Sequence, residues 1–248
     1  MRPLLPLYLF FSATAMLLLS CRSNGIEKPA IPDQSFTEEF DTLQAAYNRG
    51  WRFFNKSESP ASKDWVEGSI SGDLQAYSVK GGSKGFITAD YESTTAPLAV
   101  ISNWAVSPAI TMQNGDRIIF YTKALLYLDP GSSAPGGDST DYTNRLQVRI
   151  NKTNEGLNVG NARDAAHFAT LLLDINRDYI DHHTNPALHD PRAYPANWTK
   201  FEVTINGLAE PTKGRFAFRY YLENGGTFGR GSEVGIDSVA YISRKSPR

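Results

Sequence analysis

An alternation of apolar and polar residues with a period of two is the feature that most limits what this chain can fold into. In residues 145–150, Leu, Val and Ile alternate with Arg, Gln and Arg, and segments 200–205 and 215–220 repeat the pattern with Phe, Val, Ile and Tyr on one face. This pattern is typical of half-buried strands in an antiparallel sheet. The three segments are therefore predicted to be strands.

Further strands are predicted along most of the chain. Seven other segments are rich in Val, Ile, Thr, Tyr and Phe: 36–40, 74–79, 86–91, 103–107, 116–124, 169–175 and 235–242. Asn-Gly pairs at 114–115 and 206–207 are turn signals between strands. Only residues 42–49 have a helical pattern. Ten strands and one short helix predict an all-β fold: a two-sheet antiparallel β-sandwich of jelly-roll type.

The first twenty residues have the composition of an export signal. Arg2 is the only charge before the uncharged stretch 4–19, and residues 18–21 read Leu-Leu-Ser-Cys, which resembles a lipobox. Cys21 is the only cysteine in the chain. We expect residues 1–20 to be a lipoprotein signal peptide and Cys21 to be lipidated. An ordinary secretory signal and an uncleaved membrane anchor are the alternatives.

The expected lipid anchor divides the rest of the chain into a tether and a domain, and it indicates where the protein acts. Residues 21–34 are predicted to be a flexible tether, and residues 35–245 the β-domain. The protein is expected in a bacterial cell envelope, lipid-anchored at the outer membrane and facing the surface or the periplasm. Acidic and basic residues nearly balance, 26 to 25, and no basic stripe is present, so a nucleic-acid partner is not expected.

Short motifs succeed one another in order from Phe36 to Ile242. They include Phe-Thr-Glu-Glu-Phe-Asp at 36–41, Gly-Trp at 50–51, Ile-Ser-Asn-Trp at 101–104, Asn-Gly-Asp at 114–116, Gly-Arg-Phe-Ala-Phe-Arg-Tyr-Tyr at 214–221 and Gly-Ile-Asp-Ser-Val-Ala-Tyr at 235–241. In number and order they resemble the choice-of-anchor J domain family, which is related to the cleaved-adhesin domains of Bacteroidetes surface proteins. The resemblance implies a β-jelly roll, a secreted or surface location, and adhesion or ligand binding.

Carboxylates near the two ends of the domain suggest a metal site. Jelly rolls that resemble this family often bind a structural Ca²⁺ between the first and last strands. Alternation places Glu39 and Asp41 on one face of the first strand, and Asp237 lies on the last strand. Hard oxygen ligands of this kind suit Ca²⁺. These three residues are the predicted calcium ligands, and solvated carboxylates are the alternative.

Two long connections, 129–144 and 176–197, are the places where a ligand is expected. Loops of this length in a compact domain tend to be functional or disordered. Aromatic side chains there can stack on sugar rings. The candidate ligand-binding residues in or beside the two loops are Tyr127, Tyr142, Tyr179 and Tyr194. The alternative is that these tyrosines pin the loops onto the sandwich.

Catalysis and zinc binding are less well supported by the residues present. The chain has no Gly-x-Ser-x-Gly elbow and no HExxH pattern, and no sequence feature selects one pair of carboxylates. His182, His183 and His189 are better explained by a polar surface loop. The chain is expected to be non-catalytic and to bind a glycan or a surface or matrix protein. A protein-docking component of a surface assembly and a glycoside hydrolase or lyase are the alternatives.

Overall fold

Strands make up most of the regular structure in the computed structural model of this chain. The structure describes residues 31–68, 74–77, 85–134 and 137–244. Its strands are β1 (Phe36–Glu38), β2 (Arg52–Asn55), β3 (Val66–Glu67), β4 (Ile87–Asp90), β5 (Ala99–Val106), β6 (Ile110–Met112), β7 (Arg117–Ala124), β8 (Tyr127–Leu128), β9 (Ser139–Thr140), β10 (Leu146–Asn151), β11 (Thr170–Ile175), β12 (Thr199–Thr204), β13 (Thr212–Gly225) and β14 (Glu233–Ile242). The regular elements also include one helix, α1 (Leu43–Asn48), and 3₁₀ turns at Tyr91–Ser93 and Ala166–Phe168.

Two antiparallel sheets contain twelve of these strands. The first sheet has the order β12-β7-β14-β4-β3, and β1 also pairs with β14. The second has the order β11-β10-β13-β5-β2, and β6 also pairs with β13. Strands β8 and β9 form a separate two-stranded ladder. The predicted fold class, a two-sheet antiparallel β-sandwich, is confirmed.

The core lies between the two sheets and is formed by the faces that the period-two pattern made apolar. Three cross-strand pairs of β10 and β13 are fully buried: Leu146 with Tyr220, Val148 with Phe218, and Ile150 with Phe216. Burying one such side chain stabilises the fold by roughly 1.5–3 kcal/mol. A shift of register by one residue would turn all of these side chains to the opposite face, so the pattern also fixes the register.

The sequence prediction located the long strands and the helix and missed five of the short strands. The predicted helix 42–49 corresponds to α1, and the Thr42 hydroxyl caps it by accepting a hydrogen bond from the Ala45 N–H at 3.2 Å. Strands β2, β3, β6, β8 and β9, of two to four residues, were not predicted, whereas the equally short β1 and β4 fall within the predicted strands 36–40 and 86–91. Of the predicted strand 74–79, residues 74–77 are not in a strand and residues 78–79 lie outside the described ranges.

Gln34, at the end of the predicted tether, is hydrogen-bonded to strands and loops of the domain. Gln34, the last residue of the predicted tether, hydrogen-bonds through its side chain to the backbone of Thr111 and through its N–H to the Ser243 hydroxyl at 3.0 Å. Gln34 therefore belongs to the folded part. The predicted signal peptide and the predicted lipidation of Cys21 lie outside the described residues. Among the residues that are described, no helix is long and apolar enough to cross a membrane.

The two long connections are joined to each other. The Thr184 N–H donates to the Ser139 carbonyl at 3.0 Å, and the Ser139 N–H donates to the Thr184 hydroxyl at 2.9 Å. The Asp138 carboxylate accepts from the Asn185 N–H at 3.0 Å. These hydrogen bonds join loops 129–144 and 176–197, which we call the loop layer.

Candidate ligand-binding site

A buried carboxylate organises the tight turn at residues 141–144. Asp141 is fully buried and accepts hydrogen bonds from the N–H groups of Thr143, Asn144 and His182 at 2.9–3.2 Å. These bonds hold Tyr142 and Thr143 at φ values of 51° and 62°, in the left-handed region that residues other than glycine rarely adopt. Such strain persists only where the surrounding contacts over-determine it. The backbone of the turn that carries Tyr142 is therefore held by the Asp141 carboxylate.

The buried amide of Asn144 links this turn to the end of the second sheet. Its oxygen accepts from the Tyr220 hydroxyl at 2.8 Å and from the Ser232 N–H at 3.1 Å. Its side-chain nitrogen donates to the Ser232 hydroxyl at 2.7 Å, and the backbone carbonyl of Asn144 accepts from the Asn176 amide at 2.8 Å. Through its side chain and its backbone, Asn144 thus connects both long loops to Ser232, the residue before β14.

The connection between β13 and β14 is rich in glycine and closely held. Gly226 and Gly231 have φ values of 117° and 104°, and a Cβ on Gly231 would lie 2.5 Å from the Tyr220 hydroxyl. The Gly231 N–H donates to the Tyr142 carbonyl at 2.6 Å, and the Phe228 N–H donates to the Pro97 carbonyl at 3.0 Å. Glycine is required here because the backbone runs directly against its neighbours.

These elements enclose a cavity of about 340 Å³, which we call the tyrosine cavity. Its walls are the three rings of Tyr91, Tyr127 and Tyr142 and the backbone of the glycine-rich connection: Gly226, Thr227, Gly229 and Gly231. The ring centroids of Tyr127 and Tyr142 lie 6.5 Å apart with an interplanar angle of 41°. None of the three hydroxyls makes a hydrogen bond to another residue of the described ranges. The cavity therefore offers aromatic surface and unused hydroxyls to a ligand.

The four tyrosines predicted to bind a ligand divide into two groups. Tyr127 and Tyr142 are brought together in the cavity. The Tyr179 hydroxyl instead accepts hydrogen bonds from the Arg145 guanidinium at 3.1 Å and the Glu223 N–H at 3.0 Å, so it pins its loop to the second sheet.

Tyr194 lies in the core and is not part of an exposed binding surface. It is fully buried, and its hydroxyl lies 2.6 Å from the Thr122 hydroxyl. Burial raises the pKa of Tyr194 well above its ordinary value. Its ring has no exposed surface with which to contact a ligand, because the loop turns inward at this residue.

Sequence reasoning missed Tyr91 as a cavity residue. It lay at the end of a predicted strand, but β4 ends at Asp90, and Tyr91 begins a 3₁₀ turn whose ring lines the cavity. The Asp90 side chain caps that turn by accepting from the Glu92 N–H at 2.9 Å. The one signal in the sequence was Asp90, because an aspartate can cap a turn that begins at the next residue.

The predicted calcium ligands lie where β1 and β14 meet. Ser238, at φ 48°, sits where the pairing of β14 with β7 is irregular. The Glu39 carboxylate accepts from the Ser238 hydroxyl and the Asp237 carboxylate from the Ser238 N–H, each at 2.6 Å. The backbone of Asp41 packs directly against Gly85.

This junction only partly suits a metal ion. Glu39 and Asp237 both reach Ser238, which puts two hard oxygen donors near one point. Among the described residues, however, no three His, Cys, Asp or Glu side chains are grouped so that they could hold a metal ion. Any ion bound here would need backbone carbonyls to complete its shell.

The histidines of the second loop are engaged within the loop layer. His183 Nδ1 lies 2.6 Å from Asp138 Oδ2, and His182 Nδ1 lies 3.0 Å from the Tyr194 carbonyl. Burial opposes ionisation of Asp138, but hydrogen bonds from Asn185, His183 and Thr184 outweigh it and hold its pKa well below the usual range. This arrangement matches the polar-loop interpretation of the histidines.

A second cavity, of about 490 Å³, lies between β11 and β12 but offers less to a ligand. Its wall includes His182, Asp190, Arg192 and Phe201. Arg192 and Asp190 form an ion pair with each other at 2.7 Å, and His182 is held by the Tyr194 carbonyl. The side chains of Asp190, Arg192 and His182 are thus already paired within the protein.

Comparison with known proteins shows which solved structures have a similar fold. No protein-family model and no curated protein sequence matches the chain. The K1 cleaved adhesin domain of Lys-gingipain from Porphyromonas gingivalis W83 is similar with a TM-score of 0.52 at 17% identity, over 85% of this chain and 99% of that domain. The K3 domain of the same protein gives a TM-score of 0.49 at 15% identity, over 86% and 100%. A carbohydrate-binding module in complex with β-1,4-galactotriose gives 0.40 at 10% identity, over 83% and 94%.

The similarity to the K1 domain supports the predicted relation to cleaved-adhesin domains at the level of the fold. The other two similarities have TM-scores below 0.5, which is too low to support an inference. Membership of the choice-of-anchor J family stays a prediction. A shared fold does not define a ligand, which has to be argued from the site itself.

Proposed function

We propose that this protein is a non-catalytic, lipid-anchored binding protein of a bacterial cell envelope, and that it binds a glycan in the tyrosine cavity. The observation that carries the proposal is three tyrosine rings with unused hydroxyls beside a backbone of glycines. Sugar rings present apolar C–H faces that stack on aromatic rings, while their hydroxyls need hydrogen-bond partners. Lipidation of Cys21 would hold the protein on the membrane.

The size and the rigidity of the cavity favour a small saccharide unit. A volume of about 340 Å³ is near the lower end of the range of ligand sites, which is roughly 300–1,000 Å³. Hydrogen bonds from Gly231 to Tyr142 and from Phe228 to Pro97 hold the walls in place before a ligand arrives. A pre-ordered site loses less conformational entropy on binding.

Docking of a surface or matrix protein is a second candidate, favoured by apolar side chains near the cavity. Phe228 belongs to the glycine-rich connection and is 83% exposed, and Leu98, beside Gly229, is 56% exposed. Leu128, next to Tyr127, is also exposed. Exposed apolar groups of this kind can mark a protein-binding surface. Under this alternative, these side chains and not the tyrosines would carry binding.

A structural Ca²⁺ at the junction of β1 and β14 belongs to the same proposal. Glu39 and Asp237 would supply carboxylate oxygens, with Asp41 and backbone carbonyls completing the shell. When bound, the ion would supply positive charge that ties the first and last strands together. It would have no part in glycan binding.

A glycan array probed with the full chain in detergent tests the proposal. We expect a defined set of saccharides to bind, and Tyr127→Ala to weaken binding at least about ten-fold by removing one stacking face. Tyr47→Ala is the matched control, because Tyr47 is exposed to a similar degree, 36% against 39%, but lies on α1. Absence of binding to every saccharide, or equal loss in both variants, would contradict the proposal.

A further inference from the structure

Carboxylates are concentrated beside the tyrosine cavity. Glu233, the first residue of β14, pairs in register with Asp90, the last residue of β4. Tyr91 follows Asp90 directly, and Glu92 comes next. The carboxylates of Asp90, Glu92 and Glu233 thus lie close to Tyr91, which lines the cavity.

A single lysine offsets part of this charge. Lys63 forms ion pairs with Asp90 and, at 3.6 Å, with Glu92. Three negative groups against one positive group leave this cluster with a net charge of about −2. Arg230 is the nearest cation on the glycine-rich connection, but it does not line the cavity, and its guanidinium lies 4.3 Å from the ring centroid of Tyr179.

The negative charge of this cluster acts on a side chain of the tyrosine cavity. The pKa of the Tyr127 hydroxyl is raised to about 12, first by burial and then by the negative charges of Glu233, Asp90 and Glu92 and by the neighbouring Tyr91. A potential that opposes a phenolate also opposes an anionic ligand and favours a cation. The charge therefore distinguishes among possible ligands.

The rings add an attraction of the same sign. The face of an aromatic ring attracts a cation within about 6 Å of its centroid. The Tyr127 and Tyr142 centroids are only 6.5 Å apart, so one cationic group can lie within that range of both. The cavity thus combines two aromatic faces with a nearby negative field.

We propose that the tyrosine cavity selects saccharides that carry a free ammonium group, that is, amino sugars without an acetyl group, over neutral and acidic sugars. This inference rests on the proposed glycan-binding function and adds the chemical class of the ligand. The hydroxyls of the three tyrosines serve the sugar hydroxyls and the ring faces serve the ammonium group, while the carboxylates of Asp90, Glu92 and Glu233, which do not line the cavity, favour it through their negative field. A lysine side chain of a protein has the same charge but lacks the sugar hydroxyls that those phenols would bind.

Calorimetric titration of the full chain with three oligosaccharides of equal length tests the inference: β-1,4-linked glucosamine, β-1,4-linked N-acetylglucosamine and galacturonic acid. We expect the glucosamine oligomer to bind at least about ten-fold more tightly than the other two, and its affinity to fall as salt is raised. A Glu92→Gln, Glu233→Gln double variant should lose most of that preference. Glu202→Gln, which changes a carboxylate on β12, is the control.

Each outcome decides between the claims. Preference for the glucosamine oligomer, lost in the double variant but kept in Glu202→Gln, supports the inference. Equal binding of the glucosamine and N-acetylglucosamine oligomers, unchanged in the double variant, overturns the inference and leaves glycan binding intact. If none of the three binds but another saccharide on the array does, the inference also fails alone. Binding of polylysine with no saccharide bound overturns both in favour of a protein ligand.

Discussion

The tyrosine cavity and the junction of β1 and β14 are both rich in polar groups, but they use them differently. At the junction, the Glu39 and Asp237 carboxylates each accept a 2.6 Å hydrogen bond from Ser238, so their polar atoms serve the fold. In the cavity, the three tyrosine hydroxyls have no hydrogen-bond partner in the described part of the chain. Polar groups satisfied within the protein stabilise it, whereas unused ones beside an open space are available to a ligand.

Among the substitutions, the largest effect should come from replacing the carboxylate that supports the cavity. Asp141→Ala leaves the N–H groups of Thr143, Asn144 and His182 without an acceptor in a buried place. We expect the free energy of unfolding to fall by about 3 kcal/mol, measured by urea denaturation. The exposed Asp178→Ala should change it by less than about 0.5 kcal/mol. A loss in Asp141→Ala as small as in the control would show that the turn does not depend on this carboxylate.

The junction can be tested by removing a metal ion. If Ca²⁺ binds there at a concentration about 100 times its Kd, it adds about 2.7 kcal/mol to stability. EDTA should then lower the Tm of the full chain, and Asp237→Asn should abolish this effect while leaving saccharide affinity unchanged. Identical melting curves with and without EDTA would remove Ca²⁺ from the account without affecting the cavity.

The stability of the turn that supports the cavity should also depend on pH. Burial raises the pKa of Asp141 to about 7, and neighbouring Asp181 adds to this, so the folded state keeps a proton that the unfolded state has already lost. Stability from this group is complete below the unfolded pKa of about 4 and is lost as pH rises to about 7. The fall is at most about 1.4 kcal/mol per pH unit. Urea denaturation of wild type and Asp141→Asn across this window checks it, and parallel pH profiles would contradict it.

The smallest effect is expected at the exposed edge of the cavity. Phe228→Ser should change the free energy of unfolding by less than about 0.5 kcal/mol, since the side chain is 83% exposed. Saccharide affinity should change by no more than about three-fold, a difference under 1 kcal/mol. A larger loss for a protein ligand than for any saccharide would shift the interpretation toward protein docking.

The sequence allowed the sandwich to be predicted because apolar and polar side chains alternate along several long strands. Strands β10, β12 and β13 are long enough for the period of two to be visible, whereas β3 and β8 have only two residues. Tyr127 and Tyr142 could be singled out because they border a long loop. The same reasoning also selected Tyr194, because whether a loop residue turns into the core depends on contacts distant in sequence.

Other parts of the site depend on tertiary structure that no local pattern reveals. Tyr91 reaches the cavity only because β4 ends at Asp90 and a 3₁₀ turn begins there. The proximity of Glu233 and Asp90 results from the register of β14 with β4, which joins residues far apart in the chain. The hydrogen bond from Gly231 to Tyr142 likewise closes the site across two loops.

Chemical-shift mapping of the ¹⁵N-labelled chain during titration with a saccharide found on the array tests the central claim most directly. If the tyrosine cavity is the binding site, the largest amide shifts will cluster at Tyr91, Tyr127, Tyr142, Gly229 and Gly231, while Glu39 and Ser238 at the junction stay unchanged. Shifts centred on the junction, on the exposed faces of the sheets or on the second cavity would contradict the claim.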